Sequence, residues 1–373
     1  MLTLSNPKYK DILRDLTIFL RLRLNMVEVL TNLMSKKRLV IVNSKSFGKF
    51  TNAIQELEEL CEVSKFDVSR DINGRNLAEK LKGFHFIIAT SNPRYDREFF
   101  EINKDVVSVL VHGIGVDNID LEAATKNGVV IVKVPGEMER EAVAELAISL
   151  MLASIRHIVQ ASNKVREGRW RERAKYVGSE LAEKTVGIIG LGNIGSRVAE
   201  ILIKGFGARV LAYDPYISPD RIKAMDIEPV SFEELLKNSD IITIHCPLTK
   251  ETYHMFNENT FRKMKKGVIL INTARGGLVD TDALSKALED GIVVAAALDV
   301  VEEEPIDEKH PLLRHENVII TPHIGAYTIE ALTGMDSSLT NAVKVLLKGE
   351  IPENAINREV FERSNLRIKK ILE

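Results

Sequence analysis

Apolar residues along this chain fall into two alternating rhythms. Short continuous runs rich in Val and Ile occur at "RLVIVN" (38–43), "FHFIIAT" (84–90), "VVSVLVH" (106–112) and "VVIVKV" (129–134). Between them, "AIQELEELCE" (53–62), "DREFFEIN" (96–103) and "LEAATKNG" (121–128) carry apolar residues at helical spacing, the last ending on a glycine stop. A strand with no polar face needs helices on both sides, so the alternation predicts a parallel sheet covered on both faces. A long helical pattern, "EREAVAELAISLMLASIRHIVQASNKV" (139–165), then separates this unit from a second and leaves room for a break near its middle. The second unit opens at "KTVGIIGLGNIGSRVAEILIKGFG" (184–207). Strands are expected at "RVLAYD" (209–214), "IITIHC" (241–246), "GVILINT" (267–273), "IVVAAALDV" (292–300) and "NVIITP" (317–322). The stretch 328–350 is helical again. The fold class is therefore α/β, with two doubly wound parallel-sheet domains.

Length agrees, because 373 residues exceed one ordinary core. At 45% hydrophobic, 28% charged and a net charge of −2, the composition is that of a soluble globular protein, and no nucleic-acid or membrane partner is expected. Two cysteines, Cys61 and Cys246, make neither a disulfide framework nor a metal-ligand spacing, which suits a reducing cytoplasm. No metal is expected. Residues 11–34 are apolar at helical spacing but are interrupted by Arg14, Asp15, Arg21, Arg23 and Glu28. That excludes a membrane span, and the missing apolar core and cleavage site exclude a signal peptide. Asp11 and Asp15 count against a transit peptide. Two readings stay open: an extra helix that packs on the body or a partner, or an overlong start ahead of Met34.

Gly190-Leu191-Gly192-Asn193-Ile194-Gly195 is a G-x-G-x-x-G motif. Alone it is weak, but here a strand precedes it and an amphipathic helix follows. Gly190 allows the tight turn, Gly192 lets backbone N–H groups approach a pyrophosphate, and Gly195 lets helix and strand pack closely. Asp214 ends the next strand, about 20 residues on, where a carboxylate accepts from ribose hydroxyls and repels a 2′-phosphate. The cofactor expected is NAD.

Three polar residues stand at later strand ends: Arg275 after "ILINTA", Glu304 after "ALDVVEE", and His323 after "VIITP". Ligands of a doubly wound sheet bind beyond the carboxyl ends of its strands. Arg grips a carboxylate with two bonds, His exchanges a proton near neutral pH, and a carboxylate beside it favours imidazolium. Singly, these could be a surface ion pair, a solvated glutamate and a packed loop histidine. Together, after a dinucleotide motif, they suit hydride transfer to a 2-keto acid.

The sequence resembles the D-isomer-specific 2-hydroxyacid dehydrogenases. The resemblance rests on "GIGVDNIDLEAA" (113–124), "AVAEL" (142–146), "GSELAEKTVGIIGLGNIG" (178–195), "HCPLTKET" (245–252), "LINTARGGLVD" (270–280), "AALDVVEEEP" (296–305) and "TPHIG" (321–325), spanning about 38–350. It implies that Arg275 binds the substrate carboxylate, with backbone at Ile114 and Gly115 helping from the other domain. His323 would be the acid/base, paired with Glu304. Asn193 and Ile194 would lie against the pyrophosphate, His245 and Pro247 on the adenine side, and Thr273 and Ala274 close to the cofactor. Asp299 would face the nicotinamide carboxamide, and Gly325 would begin the return crossing beside the cofactor. The implied architecture is a Rossmann NAD domain (139–324) inserted into a flavodoxin-like substrate domain (38–138 and 325–355). It is flanked by a helical extension (1–37) and a C-terminal tail (356–373). The resemblance also implies a homodimer, formed around the 139–165 helix.

The run "EMEREAVAE" departs from the family where an Asn is frequent, and Val111-His112 stands where many members carry Arg or another polar residue. His112 fits either a substrate contact or a packed turn. Phosphoglycerate-specific members use extra basic residues; Lys45, Lys49, Arg94 and Arg97 are candidates. No regulatory C-terminal domain of the kind found in many phosphoglycerate dehydrogenases is expected. The activity expected is NAD-dependent interconversion of a small 2-keto acid and a D-2-hydroxy acid. A D-3-phosphoglycerate dehydrogenase of serine biosynthesis is the alternative, and a corepressor-like NAD-sensing protein is the reading from another class.

Overall fold

Residues 36–372 are described by a computed structural model. The expected N-terminal helix at 11–34 lies outside them. The contacts divide the chain into two compact units, one ending at Lys133 and resuming at Asp336, the other Val134–Met335.

Among the described residues the first unit holds five strands: β1 (Lys37–Val42), β2 (Cys61–Phe66), β3 (Phe86–Ala89), β4 (Ser108–Val111) and β5 (Val130–Lys133). They are all parallel, in the order β2-β1-β3-β4-β5, which is the flavodoxin-like order. Strands β3 and β4 are buried at every position, Ser108 at the start of β4 included, as central strands covered on both faces require. β2 was not anticipated. Its sequence "CEVSKF" mixes polar and apolar residues because it is an edge strand, and the preceding helix stops at Leu60 rather than running to 62. The expected tail also proves to be structured. Ile356 N–H donates to Ile131 O at 2.9 Å, and the buried Arg367 guanidinium donates to Asn103 O, Val106 O and Phe100 O. Burial pulls the Arg367 pKa down to about 10.

The second unit holds seven parallel strands: β6 (Thr185–Ile189), β7 (Arg209–Tyr213), β8 (Glu228–Pro229), β9 (Ile241–Ile244), β10 (Val268–Asn272), β11 (Val293–Leu298) and β12 (Val318–Ile320). Their spatial order is β12-β11-β10-β9-β6-β7-β8, so the winding reverses between β6 and β9. Alternate residues of β10 enter different cores: Ile269 and Ile271 one, Val268 and Leu270 the other. A sheet buried on both faces does this, because successive side chains point to opposite sides. Since all the strands are parallel, the loops after β6, β7, β9, β10, β11 and β12 leave from one edge of the sheet.

The long helical pattern is two helices, Glu137–Ile155 and Ile158–Arg166, bent by 62°. The break is at His157, whose φ of +54° no α-helix accommodates. The boundaries between the units also differ from expectation. The first falls at 133/134 rather than 138/139, and Gly136 already packs on Asn193. The second falls at 335/336, inside the helix Ile329–Leu347, rather than at 324/325. Backbone bonds from Ile324 and Gly325 to Asp299 keep that stretch with the second unit.

Candidate active site

The three motif glycines have different reasons to be glycine. Gly190 has φ +88°, and an added Cβ would lie 2.8 Å from Cys246 N. A Cβ on Gly195 would lie 2.0 Å from Gly190 O. Both are therefore required by the fold. Gly192 is not: its φ is −67°, and nothing lies within 4 Å of where a Cβ would stand. It caps the helix Asn193–Ile201 without a side-chain hydrogen bond. The first-turn N–H groups of a helix have no partner within it, so this open N-terminus fits the close approach of a phosphate group.

Asp214 follows β7. Its Oδ2 accepts from Leu191 N–H and its Oδ1 from Tyr216 N–H, both at 2.9 Å. The carboxylate thus braces the glycine turn and keeps a lone pair on each oxygen for a hydroxyl. His245 follows β9, with Nε2 at 2.9 Å from Thr243 Oγ1, and burial pulls its pKa down to about 3, so the ring is neutral. Pro247 is exposed two residues on. Beyond β10, the buried Thr273 hydroxyl has no hydrogen-bond partner, and Ala274 N–H donates to Asn272 Oδ1. An orphaned hydroxyl on the same sheet edge as an open helix N-terminus fits a bound dinucleotide.

Arg275 leaves the same edge. Asn272, 1% exposed, fixes its backbone by donating to Arg275 O at 2.9 Å, and the guanidinium donates to Ala274 O at 2.7 Å. His323 Nδ1 lies 2.8 Å from Glu304 Oε2, while Glu304 Oε1 accepts from Val301 N–H. Facing a carboxylate, Nδ1 keeps its proton in both charge states, and exchange takes place at Nε2. Burial lowers the His323 pKa, but the hydrogen bond and charge of Glu304, with Asp299, outweigh it; Arg275 opposes them. The net direction is upward from 6.5.

His323 has φ +54°, uncommon for any residue but glycine. What holds it is Asp299. The Asp299 carboxylate accepts from Thr321 Oγ1 at 2.6 Å, Ile324 N–H at 2.9 Å and Gly325 N–H at 2.8 Å. His323 N–H donates to Asp299 O. Three of about four acceptor positions on the carboxylate are thus occupied. Burial lifts the Asp299 pKa despite these donors and His323. Gly325 is buried against this carboxylate, 3.2 Å from where its Cβ would stand. Asn272 and Thr321 were missed from sequence; both are polar residues ending or following apolar strands, which is the available signal.

Ile114 and Gly115 lie in the first unit, in the turn after β4. His112 takes the packed alternative: its ring sits edge-on to Phe47, and Nε2 lies 3.0 Å from Asp336 Oδ1, both side chains being almost wholly buried.

The chain is also similar to known proteins. The family described as "D-isomer specific 2-hydroxyacid dehydrogenase, NAD binding domain" matches residues 148–325. Glyoxylate reductase of Thermococcus litoralis is 38% identical over 319 residues, 84% of this chain and 96% of that protein. D-3-phosphoglycerate dehydrogenase 2, chloroplastic, of Arabidopsis thaliana is 42% identical over 299 residues, 80% of this chain but 47% of that protein. The chain thus spans about half the length of this phosphoglycerate dehydrogenase. The crystal structure of D-lactate dehydrogenase from Aquifex aeolicus, complexed with NAD and lactic acid, superposes with a TM-score of 0.75 at 30% identity, covering 84% of this chain and 96% of that one.

Proposed function

Because the chain belongs to the D-isomer-specific 2-hydroxyacid dehydrogenase family, we propose that it interconverts a small 2-keto acid and a D-2-hydroxy acid with NAD as cofactor. The observation that carries this reading is the His323–Glu304 pair at the strand-end edge that also bears Arg275 and the glycine loop.

Bound NADH supplies the hydride for the keto carbon. Gly190, Gly192, Asn193, Ile194 and Gly195 form the loop that holds the pyrophosphate, and Asp214 accepts from the adenosine ribose. Its charge disfavours a 2′-phosphate. His245 and Pro247 line the adenine side, Thr273 and Ala274 border the cofactor, and Gly325 keeps the loop close to it. Asp299 anchors the His323 loop and offers its remaining acceptor position on Oδ2 to the carboxamide. Arg275 grips the substrate carboxylate. His323, as imidazolium, protonates the forming alkoxide from Nε2. Glu304 keeps the ring charged and oriented.

Near end-to-end similarity to a glyoxylate reductase supports a small keto acid as substrate. The identity to phosphoglycerate dehydrogenases supports the second reading, D-3-phosphoglycerate oxidation. Reduction of glyoxylate, hydroxypyruvate and phosphohydroxypyruvate with NADH tests both, and activity on phosphohydroxypyruvate alone decides for the second. Binding of NAD with no turnover on a wide panel would favour an NAD-sensing protein instead.

A homodimer is part of the same reading. Ile158, Val159, Val165, Trp170 and Val177 are all exposed on 158–177, with Trp170 at 69%. Light scattering on Trp170→Glu checks it, with loss of the dimer expected. The free cysteines support a reducing compartment such as the cytoplasm. Among the described residues, no single helix is long and apolar enough to cross a membrane.

A further inference from the structure

A second histidine–glutamate pair lies next to the first. His254 Nε2 bonds to Glu302 Oε1, and Glu302 Oε2 accepts from Thr281 N–H at 2.8 Å. Thr281 opens the helix Thr281–Glu289, whose N-terminal end favours a carboxylate. Asp280 lies 3.6 Å from the other ring nitrogen of His254, and Tyr253 stacks on that ring at 4.0 Å. The pair is about three-quarters buried.

Its place in the fold matters more than its strength. Glu302 sits two residues before Glu304, in the turn whose Val301 N–H binds Glu304 Oε1. The turn carrying Arg275 rests on the same segment: a Cβ on Gly276 would lie 2.0 Å from Val301 O. His254 N–H donates to Gly277 O at 2.9 Å, so the loop of His254 grips the Arg275 turn by its backbone and the Glu304 turn by its side chain.

We propose that Glu302, held by His254 and Thr281, is a positioning residue that aims Glu304 at His323 and sets the Glu304 turn against that of Arg275. His254 is its partner in this role, and neither touches substrate. The inference deepens the oxidoreductase reading and rests on it for its purpose. The groups facing His323 are Glu304 and Asp299, which favour its charged form, and Arg275, which opposes it. Removing Glu302 acts on His323 through the aim of Glu304.

The test is an NMR titration of histidine-labelled protein, with the His323 signal assigned from His323→Gln, in the full chain and its Glu302→Ala, His254→Ala and His254→Gln variants. Glu302→Ala and His254→Ala should each lower the His323 midpoint by about one pH unit, and His254→Gln, which keeps a donor in reach, should restore most of it. Where keto-acid turnover is measured, kcat should fall roughly tenfold with KM for NADH unchanged. An unchanged His323 midpoint in folded variants overturns the proposal. If Glu302→Ala does not fold, the two His254 variants decide. The titration needs no turnover, so a chain inactive on every keto acid would defeat the oxidoreductase reading without deciding this one.

Discussion

His323 Nδ1 and Glu304 Oε2 stand 2.8 Å apart beyond the ends of neighbouring strands, β12 and β11, whose last residues Ile320 and Leu298 are paired. Two loops bring them together: the turn at 300–305 and the left-handed backbone of His323 itself. The pair leaves Nε2 as the proton-exchanging atom. It also raises the pKa, so imidazolium, the form that keto-acid reduction requires, persists above the ordinary histidine value.

This gives a pH prediction with a definite sign. Because the folded pKa lies above 6.5, kcat/KM for reduction should hold below neutrality and fall as pH rises through the folded value. Oxidation of the hydroxy acid needs the neutral ring and should rise through the same midpoint. In Glu304→Gln both limbs should move to lower pH, because the charge that opposes burial is gone. A pH–rate profile in each direction checks it; limbs that stay in place would remove Glu304 from this role.

Gly192 and Gly195 should separate binding from packing. Gly192→Ala meets open space, so the melting temperature should hold while the Kd for NADH rises about tenfold, roughly 1.4 kcal/mol. Gly195→Ala drives a Cβ into Gly190 O and should cost about 1–3 kcal/mol of stability. Fluorescence titration and urea unfolding measure the two.

Asp299→Ala would orphan three donors, Thr321 Oγ1 and the N–H groups of Ile324 and Gly325. The Gly325 bond is buried and the other two part-buried, so at about 1–3 kcal/mol for a buried unsatisfied group the expected loss is about 2–3 kcal/mol. Urea unfolding reads this, and kcat should fall with it because His323 is freed.

Arg275→Ala should mainly raise the keto-acid KM and also lower kcat, since the guanidinium acts in both ground and transition states. Arg275→Lys should recover little, because an ammonium cannot grip a carboxylate with two parallel bonds. Steady-state kinetics with the best substrate of the panel check both.

Much of this was legible in the sequence, for reasons that can be named. Continuous Val/Ile runs announce strands buried on both faces, and the strand expected ahead of the glycine motif is β6, which ends at Ile189 directly before Gly190. β2 was not seen, because an edge strand half in water carries no such run. Of the site, Arg275, Glu304 and His323 are strand-end residues whose proximity follows once the strands are parallel. The local anchors were not visible. Asp299 binding three donors, Asn272 bracing Arg275, and His254 reaching Glu302 from 48 residues away depend on loop shape, which spacing along the chain does not encode.

The central claim is that His323 moves the proton. Single-turnover reduction of glyoxylate, or of the best keto acid of the panel, by His323→Gln measures it directly. The rate should fall by about 10²–10⁴-fold while NADH binds with unchanged affinity. A variant that turns over at the wild-type rate would contradict the account.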